Sequence, residues 1–371
     1  MPAPRNTAST PVSRVSVLQP SDVMRPELLA QGAYAVPDSR GMIKLDAMEN
    51  PYHWPAEMQA QLAQVLVQAE LNRYPDPRAE VLSRQLRAVM GVPESAGLML
   101  GNGSDELIQI LLMAVAGSGR GVLAPEPGFV MYRLIAQWLD VPYTGVALRP
   151  DFSLDMPAML AAIEDQAPAV MFLAWPNNPT GNRWSRADVE ALIEAAPGLV
   201  LVDEAYGPFA DDSFLSEVGQ GKLMVMRTVS KLGLAGLRLG YLAGPSEWIQ
   251  ALDGLRLPYN INVLTQAAAS FALEHYAVLD EQAGLIRAER AALSKALAAL
   301  PGVEVFPSEA NFLLVRVPSG RADAVFEGLR ERRILIKNVS HYHPLLADCL
   351  RVTVGTPEQN AAFLTAFKQN L

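Results

Sequence analysis

Between about residues 98 and 245 short apolar runs alternate with amphipathic stretches, and this alternation admits few folds. Runs at Leu98–Leu100, Gly121–Ala124, Ala169–Ala174, Leu199–Val202, Leu223–Thr228 and Leu239–Ala243 have the continuity of strands buried on both faces. Helix spacing separates several of them. One helix is predicted from Ser185, where Ser-Arg-Ala-Asp has capping-box spacing ahead of Val189, Leu192 and Ile193. Another follows Asp155, with Met156, Met159, Leu160 and Ile163 as its apolar positions. Apolar strands alternating with helices imply an α/β fold, a mostly parallel sheet covered by helices on both faces. Ligands of such sheets bind beyond the carboxyl ends of the strands, so the residues just after each strand are the informative ones.

The last third reads differently. An Ala- and Leu-rich helical stretch from about Val263 to Leu300 precedes short strands expected at Asn311–Val315, Ile334–Ile336 and Leu350–Val354. This pattern predicts a second, smaller α+β domain, which Met42–Asp46 is expected to join. A chain of 371 residues is also long for a single core. The expected organisation is an N-terminal arm over residues 1–33, a segment over 34–60 joining the small domain, a large domain over 61–265 and a small C-terminal domain over 266–371. The stretch from Met1 to about Asp22 is rich in Pro, Ser and Thr, lacks the apolar core of a signal peptide, and reads as a mobile arm.

A formal net charge of −9 argues against a general nucleic-acid binder, which needs a basic surface. No run reaches the roughly 18–20 apolar residues of a membrane helix. Cys349 is the only cysteine, which rules out a disulfide within one chain and suits a reducing cytoplasm. His341 and His343 have no carboxylate or cysteine cluster to complete a metal site, so no metal is expected.

Four strand ends carry candidate chemistry. Gly101-Asn102-Gly103-Ser104-Asp105-Glu106 follows the run Leu98–Leu100 and opens the helix Leu107–Ala116; it reads as an anion cradle or as a capped Gly-rich loop. Trp175-Pro176-Asn177-Asn178-Pro179-Thr180-Gly181 is a turn whose paired amides can face a ligand, or only a turn. Asp203-Glu204-Ala205-Tyr206 puts a carboxylate at the end of a strongly apolar strand, where it needs a partner or its pKa rises; a helix cap or surface ion pair is the alternative. Ser230-Lys231 is followed by an apolar, Gly-rich stretch ending in Arg238. An isolated lysine is usually a solvated surface residue, but a desolvated one becomes a carbonyl-directed nucleophile.

Together with Met48-Glu49-Asn50-Pro51, Arg73-Tyr74-Pro75-Asp76, Pro127–Tyr132 and Leu350–Thr356, these residues resemble the fold-type I aminotransferases, which depend on pyridoxal 5′-phosphate. Within them the chain is similar to the histidinol-phosphate aminotransferases from about Tyr34 to the C-terminus. The resemblance implies that Lys231 carries the cofactor as a Schiff base and moves the proton in catalysis. It implies further that Asp203 pairs with the ring nitrogen and that Asn178 and Tyr206 hydrogen-bond the ring's 3-oxygen. Ser104, Asp105, Ser230 and Arg238 would hold the cofactor phosphate, with Tyr74 reaching it from a neighbouring subunit of a homodimer. Arg351 would grip the substrate carboxylate.

Three positions depart from the family pattern. Phe129 stands where many relatives have a tyrosine stacked on the cofactor, and Lys337 where many have an arginine for the substrate phosphate, near which Tyr34 is also expected. Met48 replaces an asparagine common in the family. The implied reaction is amino transfer between histidinol phosphate and 2-oxoglutarate, giving imidazole-acetol phosphate and glutamate, in the cytoplasm and in histidine biosynthesis. An aromatic amino-acid aminotransferase or a threonine-phosphate decarboxylase would share the cofactor motifs. A non-catalytic cofactor-binding sensor would need a DNA-binding segment, for which the chain before Tyr34 is too short.

Overall fold

The computed structural model describes residues 18–32 and 36–371. Of these, the residues up to Asp38 form one unit and Ser39–Leu371 another. In the first, a 3₁₀ turn (Pro20–Asp22) precedes a short helix (Pro26–Gln31). Residues 1–17 of the expected arm, and Tyr34, lie outside the described residues.

The second unit opens with β1 (Ile43–Lys44) and continues with β2 (Ala96–Gly101), β3 (Val122–Glu126), β4 (Tyr143–Ala147), β5 (Val170–Ala174), β6 (Leu199–Asp203), β7 (Leu223–Thr228) and β8 (Gly240–Pro245). Strands β2 to β8 form one sheet in the order β2-β8-β7-β6-β5-β3-β4. The period of two along each strand divides its residues between two cores. Met171, Leu173, Val200, Val202 and Val225 face one, and Val170, Phe172, Leu199, Leu201, Met224 and Met226 the other. Helices on both sides cover these faces, which explains the unbroken apolar runs.

Strand β8 runs antiparallel to both neighbours, β2 and β7, while the other pairings are parallel. Apolar content does not encode direction, but the connection does: Val229–Leu239 holds only two 3₁₀ turns, too little for the crossover that a parallel strand requires. This reversal matters for the site, because it brings the start of β8, and Arg238 before it, to the edge where the parallel strands end.

The rest of the chain forms β9 (Glu304–Val305), β10 (Phe312–Arg316), β11 (Ile334–Leu335), β12 (Lys337–Asn338) and β13 (Cys349–Thr353). A four-stranded sheet has the order β12-β13-β10-β9, and β1 pairs in parallel with β11. Leu313, Val315, Leu350 and Val352 pack from this sheet into a core with Val325, Leu329, Phe363 and Phe367. The final helix, Pro357–Asn370, begins at a full capping box made by Thr356 and Gln359.

The structure departs from the pattern of the sequence in three places. The stretch Val263–Leu300 is two helices, Val263–Glu274 and Tyr276–Ala298, interrupted at His275, whose Nδ1 lies 2.9 Å from the Phe271 carbonyl oxygen. Helix Arg186–Ala195 does start after Ser185, but the Ser185 side chain makes no capping bond; Asp155, by contrast, accepts from the Ala158 N–H at 3.2 Å. Strand β4 has no counterpart among the apolar runs, because it is an edge strand with only Val146 buried.

Candidate active site

At the carboxyl edge of the large sheet lies a cavity of about 400 Å³. Ser104, Asp105, Phe129, Asn178, Asp203, Tyr206, Ser230, Lys231 and Arg238, drawn from five separate strand ends, all line it. Lys231 enters from the 3₁₀ turn Ser230–Leu232 directly after β7. Its Nζ donates to the Ala47 carbonyl at 3.3 Å and stands 5.9 Å from the centre of the Tyr206 ring. Burial lowers its pKa to about 8, and the Arg351 and Arg238 charges act in the same direction. An appreciable share of the amine is therefore unprotonated near neutral pH.

Asp203 ends β6 with the parity of Leu199 and Leu201, so it leaves the sheet on the side of Tyr132 and Phe172. The Tyr132 hydroxyl donates to its Oδ2 at 2.6 Å and the Ala205 N–H to its Oδ1 at 3.0 Å. Burial nonetheless raises its pKa to about 6, against these two bonds. Glu204, the next residue, leaves on the opposite face. It accepts from Arg227 Nε at 2.9 Å, the Ser213 hydroxyl at 2.8 Å and the Phe214 N–H at 2.6 Å. Of two adjacent buried carboxylates, one is thus fully bonded and the other still seeks a cation.

A polar chain closes the far side. Arg351 Nη1 donates to Asn178 Oδ1 at 2.6 Å, and Asn178 Nδ2 donates to the Tyr206 hydroxyl at 3.1 Å. Arg351 Nη2 donates to the Asp46 carbonyl at 2.9 Å. Because Leu350 and Val352 turn into the core, Arg351 projects from the opposite face of β13. Burial pushes the Tyr206 phenol well above its ordinary value, with Arg351 opposing. The neighbouring Met48 holds a left-handed backbone, φ 53°, which asparagine tolerates better than methionine. Its N–H donates to Thr353 Oγ1 at 3.0 Å and its carbonyl accepts from Asn311 Nδ2 at 2.8 Å, and these bonds hold the turn.

At the other end is a cradle that tolerates no side chain. Gly103 has φ +84°, and a Cβ on it would stand 2.5 Å from Arg238 Nη2. A Cβ on Gly240 would stand 2.9 Å from the Ser104 nitrogen. Helix Ser104–Val115 starts here, so its unsatisfied first-turn N–H groups and the Arg238 guanidinium meet at one point. Arg238 is exposed and contacts Asp105 Oδ2 at 3.3 Å. These groups fit a ligand with an anionic phosphate at one end, a protonated ring nitrogen for Asp203 at the other, and a carbonyl within reach of Lys231 between them. Pyridoxal phosphate has those three features.

Other expected residues stand elsewhere. Arg351 is buried behind Asn178 and does not line the cavity. Lys337 lies opposite Arg351 across the β12–β13 pair, its Nζ 5.7 Å from the centre of the Tyr342 ring. Tyr74 is 81% exposed and stacks on Tyr259 at 4.5 Å, away from the cavity of its own chain. His341 pairs with Asp323 at 2.9 Å, and His343 Nδ1 accepts from the Leu345 N–H at 3.2 Å. Sequence reasoning gives Tyr132 no role of its own, although it lies within the motif Pro127–Tyr132; its spacing from Asp203 carries no signal of their contact.

Residues 40–367 match the family model for aminotransferase class I and II. The chain is 55% identical over 366 residues to histidinol-phosphate aminotransferase 2 of Cupriavidus pinatubonensis, covering 96% of this chain and 100% of that one. It is 56% identical over 355 residues to histidinol-phosphate aminotransferase 1 of Ralstonia nicotianae, covering 94% of each. Among solved structures, the histidinol-phosphate aminotransferase of Sinorhizobium meliloti in complex with pyridoxal-5′-phosphate superposes with a TM-score of 0.83 at 23% identity, covering 94% of this chain and 97% of that one.

Proposed function

The chain belongs to the class I and II aminotransferases, and from that premise we propose that it transfers the amino group of histidinol phosphate to 2-oxoglutarate with pyridoxal phosphate held on Lys231. The products are imidazole-acetol phosphate and glutamate, a step of histidine biosynthesis. The observation that carries the chemistry is the Lys231 amine, lowered to a pKa of about 8 in the cavity it shares with Asp203 and Arg238. The substrate follows from relatives of that activity that are more than half identical over nearly the whole chain.

Bound pyridoxal phosphate supplies an electron sink for the negative charge left when a proton leaves the carbon bearing the amine. The chain's residues do the rest. Lys231 would hold the cofactor, and its Nζ, lowered to a pKa of about 8, would be the base that takes that proton. The Asp203 carboxylate holds a proton on the ring nitrogen, gaining the cation that its burial demands. Tyr132 fixes the orientation of that carboxylate. Asn178 and Tyr206, already bonded to each other, address the ring's 3-oxygen, and Phe129 stacks on the ring. Ser104, Asp105, Ser230 and Arg238 hold the phosphate, with Tyr74 supplied by the second subunit of a homodimer.

Histidinol phosphate has no carboxylate, whereas glutamate has two. We assign Arg351 to the glutamate α-carboxylate, which its fork takes in exchange for the bonds to Asn178 and the Asp46 carbonyl. Lys337, its cross-strand neighbour, supplies a cation for the substrate phosphate. In this reading residues 61–265 form the cofactor-binding domain, residues 266–371 with the 34–60 segment the small domain, residues 1–33 an arm, and the enzyme works in the cytoplasm.

The test is a visible spectrum of the purified protein before and after L-histidinol phosphate, with Lys231→Ala as control. A band at roughly 410–430 nm that gives way to one at about 330 nm and returns with 2-oxoglutarate is the expected result. A band that ignores histidinol phosphate but responds to phenylalanine or threonine phosphate overturns the substrate; no band with excess cofactor overturns the role of Lys231.

A further inference from the structure

Behind the turn that carries Lys231 lies a second cavity, of about 220 Å³, that the reaction does not use. Its sheet wall is Arg227 and Tyr241, direct partners across the β7–β8 pair. Its helical wall is Tyr276, Asp280 and Arg287, on one face of the helix Tyr276–Ala298. Thr228 lines both this cavity and that of Lys231.

The polar groups here are mostly donors. Tyr241 is 1% exposed, and its hydroxyl oxygen has no hydrogen-bond partner of normal geometry. A buried hydroxyl left so is costly, and its persistence calls for an explanation. Burial pushes the Tyr241 phenol up to about 12, with the neighbouring Arg227 guanidinium opposing, so the hydroxyl keeps its proton and can donate it. Arg227 spends Nε and Nη2 on Glu204 and Ser213. Arg287 spends Nη1 on the Pro208 carbonyl at 2.6 Å. Glu204 neutralises Arg227, but among the described residues no carboxylate forms an ion pair with Arg287. Asp280 is exposed and is the one acidic side chain of the lining. Gly284 lies between Asp280 and Arg287 on the same helix face, and a Cβ added to it would have only Arg287 Nη2 within 4 Å, so packing does not demand a glycine there. Mid-helix glycine disfavours the helix, and here it leaves room beside the guanidinium.

We propose that this cavity binds a small oxyanion between the Arg287 and Arg227 guanidinium groups, with the Tyr241 hydroxyl donating to it. Such an occupant sits against Thr228, on the opposite side of the turn from the Lys231 amine.

The test soaks crystals of the cofactor-loaded enzyme with sodium selenate and locates selenium by anomalous scattering; the bound cofactor fills the phosphate cradle of the main site. Selenium between Arg227, Arg287 and Tyr241, absent in Arg287→Gln, is the expected result. In solution, Tyr241→Phe should weaken selenate binding about tenfold by calorimetry, the loss of one bond to a charged group. Only water in the cavity at saturating selenate, or selenium that persists unchanged in Arg287→Gln, overturns the proposal. Neither residue lines the Lys231 cavity, so retained amino transfer shows that both variants are folded.

Discussion

Burial acts in opposite directions on Asp203 and Lys231, raising the carboxyl to about 6 and lowering the amine to about 8. For Asp203 the folded value lies above the ordinary 3.8, so between the two the native apoprotein binds more protons than the unfolded chain, and its contribution to stability falls as pH rises. Asp203→Asn removes that titration. Relative to the parent, the variant apoprotein should gain about 3 kcal/mol between roughly pH 4 and pH 7, from about 1.4 kcal/mol per pKa unit. Urea unfolding at several pH values measures this, and a difference flat with pH would sink the idea. The same variant should lose amino transfer by roughly a hundredfold or more, because an amide cannot hold charge on the ring nitrogen. Lys231 predicts a second profile: only the free amine attacks the cofactor aldehyde, so attachment to the apoprotein should speed up with a midpoint near pH 8. Stopped-flow absorbance follows it, and a rate constant across that range would contradict the assignment.

Elements set how close these residues come, and the pairing of β2 with β8 is the most exacting case. Gly101 and Gly240 are partners in that pairing, and a Cβ on Gly240 would meet backbone atoms of Gly103 and Ser104 that have no room to retreat. Gly240→Ala should therefore cost about 1–3 kcal/mol in thermal or urea unfolding and weaken cofactor affinity further by displacing the Ser104 N–H. If the variant binds pyridoxal phosphate as tightly as the parent, the cradle is not where the phosphate sits. This constraint is not legible in the sequence, since runs of Leu, Val and Met mark a buried strand without marking its direction. What is legible follows from burial on both faces: β5, β6 and β7 lie within a residue of their apolar runs, and with them the positions of Asn178, Asp203 and Lys231. Edge strand β4 is hidden because four of its five residues are not buried. Contacts between distant residues, such as Tyr132 with Asp203 or Arg351 with Asn178, leave no local trace at all.

At the scale of the whole molecule, an apolar surface points beyond the single chain. Val67, Leu71, Tyr74 and Leu257 are all more than 70% exposed, and Tyr74 stacks on Tyr259, so the two segments meet. Such exposed apolar side chains suit burial between subunits, and the proposed homodimer supplies a second copy to cover them. If Tyr74 completes the partner's phosphate site, two inactive variants should rescue each other. Tyr74→Ala retains its lysine but offers no tyrosine to its neighbour; Lys231→Ala retains the tyrosine but cannot hold the cofactor. In a mixed dimer the site built on the intact lysine receives the intact tyrosine, and only that site works. Co-expression with two affinity tags isolates the mixed dimer, which should recover about half of parental activity, since one of its two sites is complete. Were Tyr74 to serve its own chain, the mixed dimer would contain no complete site and stay as inactive as either parent variant.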